Sequence, residues 1–220
     1  MTLNPVLTVG TQMVETLMAH RSISQSEAEE ISLDKLRKVA IPSPEKRLKQ
    51  YPHEFSGGMR QRIVIAIALL TSPSLIVADE PTTALDVTIQ ADIMELLLSL
   101  CESEEMALIL ITHDLAVVSQ VAERIAVMYA GRIVELADTD LIIGQPQHPY
   151  TKGLLAALPQ NVNRRERLNQ IPGSMPSLAT KIVGCPFHNR CTLSADICRK
   201  EIPPLVRKES GSLAACHLVK

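Results

Sequence analysis

Two adjacent carboxylates, Asp79 and Glu80, follow directly on the apolar run Leu75-Ile76-Val77-Ala78. A run that short and that apolar suits a strand buried on both faces. The pair then sits at the strand's C-terminal end, where open α/β sheets bind their ligands. Neighbouring positions on a strand face opposite ways, so the two carboxylates can do different work. Asp79 suits holding Mg²⁺, generally through water, and Glu80 suits orienting and deprotonating an attacking water in phosphoryl transfer. An isolated Asp79-Glu80-Pro81 would read better as a strand end before a turn. Its companions at fixed distances argue for chemistry.

One companion is Ser56-Gly57-Gly58, about twenty residues upstream, which opens a helical pattern from about Met59 to Leu70. Two glycines allow close backbone approach, the serine supplies a hydroxyl, and a helix start adds free N–H groups and partial positive charge. Together they suit an anionic phosphate. The other companion is His113, which follows the apolar run Ala107 to Ile111 and so falls at the same sheet edge. A histidine there can donate a hydrogen bond to a terminal phosphate and report its presence. No Gly-x-x-x-x-Gly-Lys-Ser/Thr loop occurs in the 220 residues, although that loop normally cradles the phosphates.

The elements that must position these groups change character along the chain. Residues 1 to about 72 read as helical: Val6, Met13, Leu17 and Met18 recur at helical spacing, Ser26 with Glu29 forms a capping box, and Ile31, Leu36 and Val39 continue a face. Pro42 and Pro44 break this pattern. Residues 73–145 alternate strand and helix, with Ile89 to Leu100 and Leu115 to Ala122 helical, so a parallel sheet is expected. Ile125 to Tyr129 and Arg132 to Leu136, joined by Ala130-Gly131, predict a hairpin. Residues 146–220 are richer in proline and hold four of the five cysteines, which reads as an appended module rather than more sheet.

Composition bounds the class. A chain with 46% hydrophobic and 21% charged residues is an ordinary globular sequence. Aromatics make up 2%, and 22 Lys plus Arg stand against 24 Asp plus Glu, so neither base stacking nor an overall positive field favours nucleic acid as a partner. The longest uninterrupted apolar stretch, Ile63 to Leu70, is eight residues. A bilayer span needs roughly 18 or more. The first twenty residues carry Glu15 and no base before His20, unlike a secretory signal, so a cytoplasmic address is expected. There, cysteines serve as thiols or ligands more often than as disulfides. Cys185, Cys191, Cys198 and Cys216 lack Cys-x-x-Cys spacing, and their spacing leaves plain thiols and a metal site both open. Cys101, at the end of a helical run, reads as a packed thiol.

In order and spacing, Phe55-Ser56-Gly57-Gly58-Met59, Leu75 to Glu80, Ala84-Leu85-Asp86 and Ile111-Thr112-His113-Asp114 resemble the signature loop, Walker B strand, D-loop and switch histidine of ABC-type ATPases. A narrower likeness lies outside them. Met1 to Gly10 is similar to the segment after the Q-loop in the ATPases of dipeptide and oligopeptide importers. His148 to Pro159, Ile171-Pro172-Gly173 and Gly184 to Cys191 are similar to the C-terminal extension of that branch.

The resemblance implies an α/β, RecA-like partial ABC nucleotide-binding domain with a helical subdomain carrying the signature motif (1–72), a Walker B, D-loop and switch region (73–145), and a Cys-containing extension (146–220). It implies ATP and Mg²⁺ as cofactors, with Glu80 and His113 catalytic, Asp79 on Mg²⁺, Ser56, Gly57 and Gly58 on the nucleotide, and Asp86 in the loop through which paired subunits face each other. It tips the four cysteines toward a [4Fe–4S] cluster. His188 and His217 keep zinc as the alternative.

The implied partners are two transmembrane permeases, a second related ATPase and, indirectly, an extracytoplasmic peptide-binding protein. The implied location is peripheral, on the cytoplasmic face of the inner membrane. The expected function is energy coupling for uptake of di- and oligopeptides. The strand, Walker A loop, adenine-stacking aromatic and Q-loop that precede this text in the family are not in the chain. A non-catalytic truncated protein that keeps only dimer and permease surfaces is therefore the alternative. An ABC ATPase of DNA or the ribosome would carry coiled-coil insertions or basic arms, and neither is seen.

Overall fold

The computed structural model describes residues 3–83, 85–158, 169–177 and 182–219. Met1, Thr2, Ala84 and Pro159, which belong to motifs quoted above, lie outside the described residues. The chain divides into two compact units, Met1–His113 and Asp114–Lys220.

The first unit opens with helices. Helix α1 (Val9–His20) begins where Thr8 caps it, its hydroxyl accepting the Thr11 N–H, and buries Val9, Met13 and Leu17 at the four-residue spacing of one face. Val6 and Met18, read from the sequence as part of that face, are exposed. Helix α2 (Gln25–Lys38) is capped by Ser24 accepting the Glu27 N–H, so the helix starts two residues before the box expected at Ser26 and Glu29, and Ser26 lies within it. Either serine could cap; the one with extended backbone geometry does.

After the short α3 (Pro44–Arg47), helix α4 (Gly57–Ala68) buries Ile63, Ile65, Ala66 and Ile67. Buried positions on several sides make it the central helix of this unit. Each of the three isoleucine side chains removed from water contributes roughly 1.5–3 kcal/mol.

Strand β1 (Leu75–Asp79) leads through α5 (Val87–Ser103) to β2 (Ala107–Ile111), and the two strands pair in parallel with Asp79 opposite Ile111. Parallel neighbours need such a crossover. Helix α5 buries Ile93, Met94, Leu97 and Leu100. Both strands were expected to be buried on both faces. Instead burial alternates along β1, and Leu75, Val77, Ile109 and Ile111 are exposed, because among the described residues of this unit nothing packs on that face. At the far end of α5, Glu104 pairs with Lys35 at 3.4 Å and with Lys38, tying α2 to the crossover helix.

The second unit starts with α6 (Leu115–Val121), whose N-terminus is capped by Asp114. The hairpin of β3 (Arg124–Tyr129) and β4 (Arg132–Asp138) forms as expected. Its turn residues Ala130 and Gly131 both have positive φ, the geometry of a two-residue turn that matches strand twist. Helices α7 (Thr139–Gly144) and α8 (Pro149–Ala156) follow, then α9 (Asp196–Lys200), β5 (Val206–Arg207) and β6 (Leu213–Ala214).

Strand β6 pairs with both β4 and β5, giving the order β3-β4-β6-β5. The cysteine-bearing region therefore adds strands to the hairpin's sheet within the second unit. Two-residue strands carry too little periodicity to show in the sequence. Tyr129, Tyr150 and Phe187 pack with centroid distances of 4.7 to 5.4 Å, and Cys185 and Cys198 join the same core.

Candidate functional site

Where β1 ends, the backbone turns sharply. Glu80 has φ 48, a left-handed conformation uncommon for a residue with a side chain, and its N–H donates to the Ile111 carbonyl at 2.9 Å. That bond continues the parallel ladder one step past Asp79 and fixes Glu80 beside the end of β2. Strained backbone of this kind persists where the surroundings over-determine it.

The Glu80 carboxylate is gripped at both oxygens. His113 Nδ1–H donates to Oε1 at 2.7 Å, and the Thr83 hydroxyl donates to Oε2 at 2.9 Å. The imidazole hydrogen bond, and then the threonine hydroxyl, hold this carboxyl below its ordinary value of 4.5. Glu80 is thus ionised throughout the neutral range while it stays accessible to solvent. His113 projects from the edge with its side chain 85% exposed, so the ring can reach a group outside the protein. Asp79 is exposed on the face it shares with Leu75 and Val77, and it offers the hard oxygen ligands that Mg²⁺ prefers.

The second group of residues lies at two helix starts. Ser56 caps α4, its Oγ accepting the Met59 N–H at 3.3 Å, so the Ser56-Gly57-Gly58 backbone opens the helix where N–H groups have no partner within the helix. Asp86 caps α5, its Oδ1 accepting the Ile89 N–H at 3.0 Å. The sequence placed Asp86 in a loop between subunits; within the chain the same carboxylate orders the crossover helix. The two starts adjoin, since Gly57 faces Leu85 and Gly58 faces Ile89.

Sequence reasoning brought Glu80 and His113 to one edge, and the structure joins them directly. It missed Thr83, three residues after Glu80, where a hydroxyl reaches back across the Glu80–Thr83 turn. The signal was present as a threonine at that spacing, but Thr82 competes for the same reading. It also missed Leu85 and Ile89 beneath the glycines, because ordinary apolar helix text does not announce a packing partner.

The cysteines are free thiols. The Cys185 N–H donates to the Cys198 carbonyl at 2.8 Å, and Gly184, at φ 78, leaves room for this approach, since a β-carbon there would meet the Cys198 carbonyl oxygen at 2.4 Å. Burial pushes the Cys185 and Cys191 thiols up, and repulsion from the neighbouring cysteines, Cys216 and Cys198 included, pushes the same way. Thiolate is the usual ligand of iron–sulfur clusters, so the donor chemistry fits. Yet among the described residues no three His, Cys, Asp or Glu side chains are placed to hold a metal ion. The cluster and zinc expectations for Cys185, Cys191, Cys198 and Cys216 thus meet no preformed ligand set among the described residues. His188 Nδ1 is engaged with the Cys185 carbonyl and His217 Nε2 with the Glu201 carbonyl.

Among the described residues no helix is long and apolar enough to cross a membrane.

Comparison with known proteins bears on both units. The ABC transporter family model matches residues 1–83, and that of the oligopeptide/dipeptide transporter C-terminal region matches residues 134–198. The dipeptide transport ATP-binding protein DppD of Escherichia coli is 48% identical over 215 residues, covering 98% of this chain and 66% of the relative. The oligopeptide transport ATP-binding protein AppD of Bacillus subtilis is 46% identical, again over 98% and 66%. A probable peptide ABC transporter ATP-binding protein of Sinorhizobium fredii is 49% identical, over 97% and 64%. The chain thus spans slightly less than two thirds of these relatives' length.

Among solved structures, a dimeric bacterial ABC transporter cassette superposes with a TM-score of 0.53 at 30% identity, over 62% of this chain and 59% of that one. The protein cbiO1 from Clostridium perfringens superposes at 0.56 over 65% and 55% with 23% identity, which bears on the fold alone.

Proposed function

Since the chain belongs to the ABC ATP-binding subunits of the dipeptide and oligopeptide importer family, we propose that it supplies the hydrolytic edge and the signature loop of an ATPase that drives peptide uptake. The observation that carries this is the Glu80 carboxylate, held by His113 and Thr83 at the end of a parallel β1-β2 pair.

In this reading the Glu80 carboxylate accepts the proton of the attacking water on one of its oxygens, while His113 steadies the carboxylate and turns its exposed ring toward the terminal phosphate. Asp79 would hold Mg²⁺, which would supply charge neutralisation for phosphoryl transfer. Ser56, Gly57 and Gly58 present a hydroxyl and free N–H groups to the nucleotide of a partner ATPase, and Asp86 lies in the loop facing that partner. The 220 residues contain no Walker A lysine, so they do not themselves supply the phosphate grip that completes each site.

The partners proposed are two membrane permeases and a second related ATPase, with a peptide-binding protein acting through the permeases. The place proposed is the cytoplasmic face of the inner membrane. What supports it is the transport role of the relatives. For the extension the proposal is a [4Fe–4S] cluster on Cys185, Cys191, Cys198 and Cys216, with zinc as the alternative; the metal would have to draw the thiols together. Growth on di- or oligopeptides as the only amino-acid source tests the function. Deleting the gene should abolish that growth, the native gene should restore it, and Glu80→Gln should not. Restoration by Glu80→Gln would reject the hydrolytic role.

A further inference from the structure

Neither Gly57 nor Gly58 has a positive φ, since both sit within α4, so the backbone itself does not require glycine at either position. They are the first two residues of α4, where the helix itself has no need of glycine. A β-carbon on Gly58 would lie 2.8 Å from Ile89 Cγ2, closer than real carbon contacts allow, and one on Gly57 would lie 3.2 Å from Leu85 Cδ2. Ile89 cannot yield easily. Its methyl is attached at a branched β-carbon with one strongly preferred rotamer in a helix, and its N–H is held by Asp86.

The contact continues toward the catalytic edge. Gln90 Nε2 donates to the Thr82 carbonyl at 3.3 Å and to the Leu85 carbonyl at 3.1 Å, stapling the turn after Glu80 to α5. Thr83 in that same turn holds the Glu80 carboxylate. We propose that Ile89 is a positioning residue: its branched methyl seats Gly58 and thereby locks the signature loop to the Asp86 loop and the Glu80 turn as one rigid piece. This rests on the proposed ATPase role. Its consequence is that the groups serving the partner's nucleotide and the base serving the chain's own site cannot move independently.

The test is a set of variants in the purified, assembled transporter, read by ATP turnover and by thermal melting. Gly58→Ala should lower kcat about tenfold or more, with little change in KM for ATP, because misplacement near 1 Å is costly to a preorganised site. Adding Ile89→Leu removes the branch methyl and should restore kcat, whereas adding Ile89→Val keeps that methyl and should not. Failure of Ile89→Leu to restore turnover would show that Gly58 serves only approach to phosphate and would overturn the proposal. So would melting shifts that track the variants while kcat stays constant. If Gly58→Ala does not fold, Ile89→Ala with Gly58 intact loosens the same contact and should lower kcat; unchanged kcat overturns the idea. Glu80→Gln runs in parallel: turnover surviving it would reject the ATPase reading itself, while the melting data still report on the Gly58–Ile89 contact.

Discussion

The imidazole of His113 and the carboxylate of Glu80 meet at 2.7 Å although 33 residues separate them in the chain. Parallel pairing of β1 and β2 makes the meeting possible, because Asp79 stands opposite Ile111 and the Glu80 N–H bonds to the Ile111 carbonyl. The remaining carboxylate oxygen is taken by Thr83.

That third group makes a pH prediction. The hydrogen bonds from His113 and Thr83 lower the Glu80 carboxyl below 4.5, so the base is ionised at neutral pH and is lost only as pH falls through the depressed value. In Thr83→Val the acidic limb of the kcat–pH profile should move upward, and Thr83→Ser should return it. Turnover at neutral pH should fall only several-fold, as for one lost hydrogen bond. An acidic limb that stays in place in Thr83→Val would remove Thr83 from the site.

Ser56 and Glu80 should fail in different ways. Glu80→Gln keeps the side chain's shape but removes the base, and should cost roughly 10²-fold or more in turnover while ATP binding persists. Ser56→Arg places a bulky side chain at the α4 N-terminus and should instead impair closure on the partner's nucleotide. Nucleotide-binding and ATP-driven dimerisation assays separate the two, and equal loss of ATP binding in both variants would contradict the division of labour.

Acid should weaken the second unit through His148. The residue is 1% exposed, its Nδ1 accepts the Tyr150 N–H at the start of α8, and burial lowers its pKa from 6.5 to about 4. Between those values the unfolded chain binds a proton that the folded chain refuses, so stability present above pH 6.5 is lost as pH falls toward 4. The loss between pH 7 and pH 5 should be about 2 kcal/mol. His148→Asn keeps a capping acceptor without titrating, and urea unfolding should show the acid dependence flattened. An unchanged dependence would place its origin elsewhere.

The cysteine extension can be tested chemically. Protein purified without oxygen should carry iron and sulfide with visible absorption, and Cys191→Ser should lose them and loosen the tail in hydrogen exchange before the α/β region. Stoichiometric zinc without iron would reject the cluster. An equally ordered metal-free tail would reject any structural metal role.

Much of the site was readable in the chain because its chemistry is contiguous. Asp79-Glu80 must fall at a strand end, Ser56-Gly57-Gly58 at a helix start, and His113 just past the next strand. What was hidden depends on contacts between distant segments. Ile89 reads as one more apolar helix position until Gly58 is found against it. Ser26 and Ser24 are equivalent as text, and only backbone geometry selects Ser24 as the cap. Strand β6 is two residues long, and its place in the sheet is set by pairing with β4 rather than by any periodic pattern of its own.

The most direct measurement reconstitutes the purified transporter containing this chain in vesicles and follows labelled dipeptide uptake and Mg-ATP hydrolysis together. The account predicts that peptide accumulates only while ATP is hydrolysed, and that Glu80→Gln, still binding ATP, stops both. Hydrolysis that depends on Glu80 but moves no peptide, or peptide uptake undiminished in Glu80→Gln, would contradict it.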